Sequence, residues 1–192
     1  MMYDLKEEIL RYAPCCEQEE RDRELILKHL DDEDIFTRDN EAMHMTASAW
    51  VSSPERDRIL MVYHNIYHSW SWLGGHADGE RDLREVAMRE VKEESGLKHL
   101  SLISPDIYSL EVLTVDGHVK KGKYVSSHLH LNVTYLMEAD PHDPVFIKAD
   151  ENSGVSWFLK EEAVEKSSEP WFREHIYTKL NEKLKYYEKE HC

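Results

Sequence analysis

GGHADGERDLREVAMREVKEESGL, running from Gly74 to Leu97, decides how the rest of the chain is read. Taken as a helix from Arg81 to Ser95, at about 100° per residue, it places Leu83, Val86, Ala87 and Val91 on one stripe. Glu90 and Glu94 fall inside that stripe and Glu93 lies at its edge, while Arg81, Arg84, Glu85, Arg89 and Lys92 take the other faces. The helix is therefore amphipathic, with acids on the side that faces the core. Unpaired carboxylates cost several kcal/mol to bury, and like charges three and four residues apart on a helix repel one another. A compensating cation resolves both problems, and a divalent metal is the natural candidate.

These residues resemble the Nudix hydrolases, whose signature is G-x5-E-x7-R-E-U-x-E-E-x-G-U with U a bulky aliphatic residue. Gly75, Arg89, Glu90, Val91, Glu93, Glu94, Gly96 and Leu97 stand at matching places. One place departs: the isolated glutamate falls on Arg81, with Glu80 one residue early. The resemblance covers roughly Ala42 to Val164. It implies an α/β/α sandwich with a mixed sheet, to which this chain adds N-terminal and C-terminal helices. It also implies a metal-dependent hydrolase that splits a diphosphate bond in a nucleoside diphosphate derivative or related organic pyrophosphate, using Mg2+ or Mn2+. Glu90, Glu93 and Glu94 carry over as metal ligands, with the main-chain carbonyl of Gly75 as a fourth contributor. Hard cations suit such oxygen ligands, and they activate water and neutralise a leaving phosphate.

A chain of 192 residues with a formal net charge of -15 holds one ordinary domain and lacks the basic surface that a nucleic-acid backbone requires. A small anionic substrate remains compatible, since bound cations reverse the local potential. No apolar run approaches the roughly 20 residues of a membrane helix, and the start of the chain does not read as a targeting leader. The expectation is a cytoplasmic protein with no membrane or nucleic-acid partner. Cys15 and Cys16 are adjacent and Cys192 is terminal, which is neither a disulfide framework nor a zinc spacing.

Two short helices are expected at Tyr3–Tyr12 and Glu17–Leu30, separated by Pro14. Strands follow at Met43–Val51 and Arg58–His64, then Trp70–Leu73 leading into a Gly74-Gly75 turn. After the acidic helix come Ile107–Val115, a Lys/Gly turn at Lys120–Lys123, and an alternating run Val125–Glu138 whose spacing suits a half-buried antiparallel pair. A strand at Gly154–Leu159, a short helix at Lys160–Glu165 and a last helix from Pro170 to about Lys189 complete the chain. The expected divisions are an N-terminal helical extension at 1–38, a Nudix-type domain at 39–168 and a C-terminal helix at 169–192 packed on it. The N-terminal helices could serve a homodimer.

Around the acidic helix, Arg89 stands four residues before Glu93 and could hold it by a forked pair. Glu151, in the loop before Trp157 and beside Asp150, is the candidate general base; the Nudix resemblance implies such a glutamate from outside the helix. Lys120, Lys121 and Lys123 sit at a hairpin tip and could meet a substrate phosphate, and Trp70, Trp72 and Trp157 could stack on a ring. Ordinary roles stay open to each: a hairpin lysine is solvated, a tryptophan packs and a loop acid is hydrated.

The chain has 12 histidines. His128 and His130 are two apart on a strand and so point to one face, His76 follows the double glycine, and His44 could complete a set. Such a cluster could bind an additional transition metal or a phosphate, or simply pack. It also has a likeness to the isopentenyl diphosphate isomerases, which hold a metal with a histidine in a Cys-Gly-His turn and with acids two apart on a later strand. Glycine stands here where that turn has its cysteine. Three functions therefore follow as alternatives: the hydrolase of a small-molecule diphosphate, an isomerase-like enzyme, and a non-catalytic ligand-sensing module.

Overall fold

Asp4 opens the first helix by accepting from the Glu7 N–H at 3.2 Å, whereas the helices that follow Cys16 and Leu159 start without a side-chain cap. The computed structural model describes residues 4–120 and 122–188. In chain order they form α1 (Leu5–Arg11), α2 (Glu17–His29), β1 (Met43–Ser52), β2 (Arg58–His64), β3 (Ser69–Ser71), β4 (Leu73–His76), α3 (Leu83–Ser95), β5 (Ser101–Leu102), β6 (Ser109–Val115), β7 (His118–Lys120), β8 (Lys123–Val125), β9 (His128–Glu138), β10 (Asn152–Leu159), α4 (Lys160–Lys166), a π-helical segment (Phe172–Tyr177) and α5 (Thr178–Glu188). Hydrogen-bonded neighbours run β10-β2-β1-β9-β5, with β3 on β2, β4 on β1 and β6 on β9. Two compact units divide the residues: Met1–Ser48, Gly74–Ala87 and Pro105–Tyr135 make the first, and the rest make the second.

In the first unit, the Leu129 N–H donates to the Ala42 carbonyl at 2.9 Å, and β6 pairs antiparallel with β9 from Ser109↔Thr134 to Val115↔His128. In the second, the Ala139 N–H donates to Ser52 at 3.1 Å. β1 and β9 thus advance together, and the sheet is mixed. Ile9, Ile26, Ile35, Met45, Leu83 and Leu110 make the apolar core of the first unit. Helix α2 is fixed to β6 by Gln18 Nε2 donating to the Leu110 carbonyl at 3.2 Å and by Asp22 accepting from the Val112 N–H at 2.9 Å.

The alternating run behaves differently from the half-buried pair expected of it. β9 is buried from Leu131 to Met137 on both faces, because its polar residues point into a buried polar seam rather than to water. Asn132 Oδ1 accepts from Thr46 (2.9 Å) and Ser48 (3.0 Å), and its Nδ2 donates to Glu111 (3.1 Å) and Thr134 (3.1 Å). Ser109 contacts Glu111 and also Glu19, which is fully buried and accepts from the Tyr12 hydroxyl at 2.6 Å.

In the second unit β2 is central, with β10 antiparallel to it from Asn152↔His64 to Leu159↔Arg58. The rings of Trp50 and Tyr177 stack 5.4 Å apart at its core, beside a buried face of α5 formed by Leu180 and Leu184. The last helix runs from Pro170 as expected, and its early turns include the π-helical segment, whose wider turn is closed by the Thr178 backbone N–H donating to the Arg173 carbonyl five residues back. Lys189 and Lys121 lie outside the described residues. Among the described residues no helix is long and apolar enough to cross a membrane.

Candidate metal and catalytic site

Helix α3 begins two residues later than the stripe suggests. Glu80 accepts from the N–H groups of Arg81 (2.7 Å) and Asp82 (2.8 Å), and Asp82 accepts from Arg84 N–H (3.1 Å) as the helix opens. Arg81, at the place of the displaced glutamate, lies with its guanidinium 4.7 Å from the centre of the Phe36 ring. Glu80 is therefore a helix-entry residue, which is where an acid complements the positive end of the helix dipole.

The expected Gly74-Gly75 turn is a strand, β4. A Cβ at Gly74 would stand 2.5 Å from the Ala47 carbonyl oxygen and 2.7 Å from Ser48 Cα, so β4 lies against β1 through a bare backbone. Gly75 and His76 follow on the same strand, both partly buried.

In the second unit α3 carries the acids as the stripe required. The Glu94 residue is 4% exposed and the Glu90 side chain 14%, whereas the Glu93 side chain is 47% exposed. Burial raises the pKa of Glu90 despite the hydrogen bond from Arg89, whose Nη2 lies 3.1 Å from Glu90 Oε1. Arg89 forms an ion pair with the adjacent Glu90 as well as standing four residues before Glu93. Glu93 is held from a loop, by Lys148 Nζ at 3.1 Å, and the same ammonium lies 3.0 Å from Glu151. Burial opposes the charge on Lys148, but the hydrogen bonds it donates to Glu151 and then Glu93 outweigh it, and its pKa is raised.

Lys148 was not among the residues singled out by sequence, although its place three residues before Glu151 was the available signal. The buried Asn152 was missed too. It donates to the Glu94 carbonyl at 2.9 Å and accepts from the Lys148 N–H at 3.2 Å, while Phe146 N–H donates to the Ser95 carbonyl at 2.7 Å. Gly96, at φ +71°, ends α3 with room for Phe146: a Cβ there would lie 2.9 Å from that ring. Loop 146–152 is thereby fastened along the C-terminal turn of α3, which brings Glu93, Lys148 and Glu151 together. Asp150 is exposed on that loop.

The donors around Glu90, Glu93 and Glu94 are carboxylate oxygens, two of the three residues are largely buried, and an ammonium already neutralises one of them. That set fits a hard divalent cation. A carboxyl whose folded pKa exceeds its unfolded value gives up stability as the pH rises through that interval. At neutral pH, then, ionised Glu90 weakens the fold. Glu90→Gln is expected to raise the unfolding temperature of chelator-treated protein, read by circular dichroism; a lower temperature would contradict the burial argument.

Trp72 is 9% exposed, with Phe172 and Tyr177 edge-on at 6.3 and 5.8 Å. Trp157 is half-buried on β10 with its indole N–H buried and without a partner among the described residues. Trp70 meets Tyr63 and Phe158 edge-on. Lys120 and Lys123 face each other across the β7–β8 hairpin, exposed. In the first unit His44, His76 and His130 converge, each offering a ring nitrogen within 4.8 Å of the others. His128 joins them, its Nε2 lying 3.1 Å from His130 Nε2.

A family model for the NUDIX domain matches residues 42–180, and the chain belongs to the Nudix family. Among solved structures it is similar to a C. elegans Ap4A hydrolase in a binary complex, at 20% identity and a TM-score of 0.54 over 74% of this chain and 96% of that one. It is similar also to a NUDIX family hydrolase from Clostridium perfringens (20% identity, TM-score 0.51, 75% and 97% covered). A third likeness is to the E. coli dihydroneopterin triphosphate pyrophosphohydrolase (15% identity, TM-score 0.51, 71% and 94% covered). These likenesses show the fold, the Nudix α/β/α arrangement with a mixed sheet. No curated protein matches the chain.

Proposed function

We propose that the protein is a Mg2+- or Mn2+-dependent pyrophosphohydrolase acting on a nucleoside diphosphate derivative or a related small organic pyrophosphate. The observation that carries this reading is the seating of Lys148 between Glu93 of the helix and Glu151 of the loop, at 3.1 and 3.0 Å. A family-specific acidic helix has here acquired a second carboxylate and a cationic side chain at one spot, which is what phosphoanhydride cleavage needs. Glu90, Glu93 and Glu94 would hold the cation, which when bound supplies charge neutralisation at the phosphates and lowers the pKa of water. Glu151 serves as the base that takes the proton of the attacking water as the new P–O bond forms and the bridging P–O bond breaks. Lys148 offers its ammonium as a point charge to a phosphoryl oxygen. Arg89 keeps Glu90 oriented, and Asn152 keeps the loop on the helix.

The isomerase-like alternative is disfavoured at Gly74. The 2.5 Å approach to the Ala47 carbonyl leaves no space for any side chain ahead of Gly75-His76, so a cysteine nucleophile could not stand there. A non-catalytic sensor is disfavoured by the presence of Glu90, Glu93 and Glu94 together on one helix.

The reading is tested by phosphate or nucleotide release from nucleotide sugars, dinucleoside polyphosphates, ADP-ribose and free nucleotides, with Mg2+ or Mn2+. Turnover of at least one compound, abolished by chelator, is expected. Cleavage that persists in chelator, or binding of these compounds with no turnover of any, would overturn it.

A further inference from the structure

We propose that His44, His76 and His130 form a site for a late first-row divalent cation, zinc foremost, with His128 as the residue that positions His130. His44 comes from β1, His76 from β4 and His130 from β9, so three neighbouring strands of the first unit each contribute one imidazole. Ring centroids lie 5.1 Å apart for His44 and His76, 5.1 Å for His44 and His130 and 4.9 Å for His76 and His130. One nitrogen of each ring falls within 4.8 Å of the others, near enough for small ring rotations to gather the three on one ion.

The hydrogen bonds fix where the lone pairs are. His44 Nδ1 is 3.0 Å from the Asn40 carbonyl oxygen, which can only accept, so Nδ1 carries the proton and Nε2 the lone pair. That Nε2 is buried without a partner among the described residues, in a residue 5% exposed. A buried polar atom left unpaired costs about 1–3 kcal/mol, and a cation would satisfy it. His128 Nδ1 lies 2.8 Å from the Ser126 carbonyl and must likewise donate, which leaves its Nε2 an acceptor. His130 Nε2, at 3.1 Å, then has to supply the N–H. The lone pair of His130 is therefore on Nδ1. A carbonyl, His128 and His130 form a relay that sets one tautomer, the arrangement in which outer groups orient metal-binding histidines.

Burial lowers the pKa of His76 and His130 to about 2 and lowers that of His44 as well, so the three rings are neutral and repel no cation by charge. Arg38, whose charge is felt at the cluster, is engaged in a fork with Asp78 at 2.7 and 2.6 Å. Three neutral imidazoles favour zinc, cobalt, nickel or copper over magnesium, and three histidines with an open position are the donor set of catalytic zinc. The nitrogen site and the carboxylate site thus differ in the metal they select. The inference stands whether or not the carboxylates catalyse hydrolysis.

The test uses the full chain stripped by chelator and titrated with Zn2+, and with Co2+ as a spectroscopic probe. One equivalent of Zn2+ is expected to bind, displacing a Co2+ complex with the strong visible absorption of low coordination. X-ray absorption of the zinc-loaded wild type should show imidazole nitrogens in the first shell, a readout that needs no variant. His44→Gln and His130→Gln should each weaken zinc by about 100-fold or more, and His128→Gln by about 10-fold to 100-fold as an outer-shell loss. Glu93→Gln with Glu94→Gln should leave zinc affinity unchanged. Absence of stoichiometric zinc in the wild type, a first shell of oxygens, or loss of zinc in the glutamate variant alone would overturn the proposal.

Discussion

Replacing Glu93 and Glu94 together by glutamine is expected to lower turnover of the preferred diphosphate by about 1000-fold, since several kcal/mol of charge stabilisation by a bound metal depend on these carboxylates and each 1.4 kcal/mol is about tenfold in rate. The fold should survive the change. Glu93 is 47% exposed at its side chain and contributes an ion pair with Lys148 rather than packing, and an exposed pair of this sort is worth about 1 kcal/mol or less. Glu94 is buried, but glutamine keeps its shape, and the bond that Asn152 makes there is to the Glu94 carbonyl, which the substitution retains. Circular dichroism should therefore overlay that of the wild type while the rate collapses. A double variant that turns over within a few-fold of the wild type would remove the acids from the mechanism.

Asn132→Leu is expected to destabilise the protein by about 3 kcal/mol, because a leucine leaves several buried polar partners unsatisfied at about 1–3 kcal/mol for each group. For a chain of this size that is roughly a 10 °C fall in unfolding temperature. The side-chain amide is engaged on both ends, by Thr46 and Ser48 at its oxygen and by Glu111 and Thr134 at its nitrogen. By hydropathy alone the substitution should help a buried strand; by the hydrogen bonds it should hurt. Thermal unfolding decides between them, and a temperature equal to or above that of the wild type would mean that the seam contributes nothing.

That substitution also marks where sequence reasoning stopped. Alternation in β9 identified a strand correctly, and the antiparallel pairing with β6 followed from it. Period two separates one face from the other but does not say that the polar face is wet. Thr46, Asn132, Thr134 and Glu111 are polar because they bond to one another across strands distant in sequence, and Ser109 links Glu111 to Glu19. Helix α3 was legible for the opposite reason: acids on an apolar stripe conflict locally, and the conflict is visible within one helix.

The double glycine shows a different limit. Two adjacent glycines suggest a turn, yet Gly74 is needed for close approach of β4 to β1, which no local pattern reveals. Lys148 belongs with the seam, since its pairing with Glu93 joins residues 55 apart. His128 and His130 were placed on one face by spacing, but the contribution of His44 depends on β1 lying beside β9, a parallel pairing that only the tertiary structure supplies.

The most direct test of the central claim titrates Mn2+ into chelator-treated protein, following bound metal by electron paramagnetic resonance and cleavage of the selected diphosphate in the same samples. Cleavage rate should rise in proportion to Mn2+ held by the wild type, with both signals lost in Glu93→Gln with Glu94→Gln and retained in His44→Gln. Full Mn2+ binding and full cleavage in the glutamate variant would contradict the account.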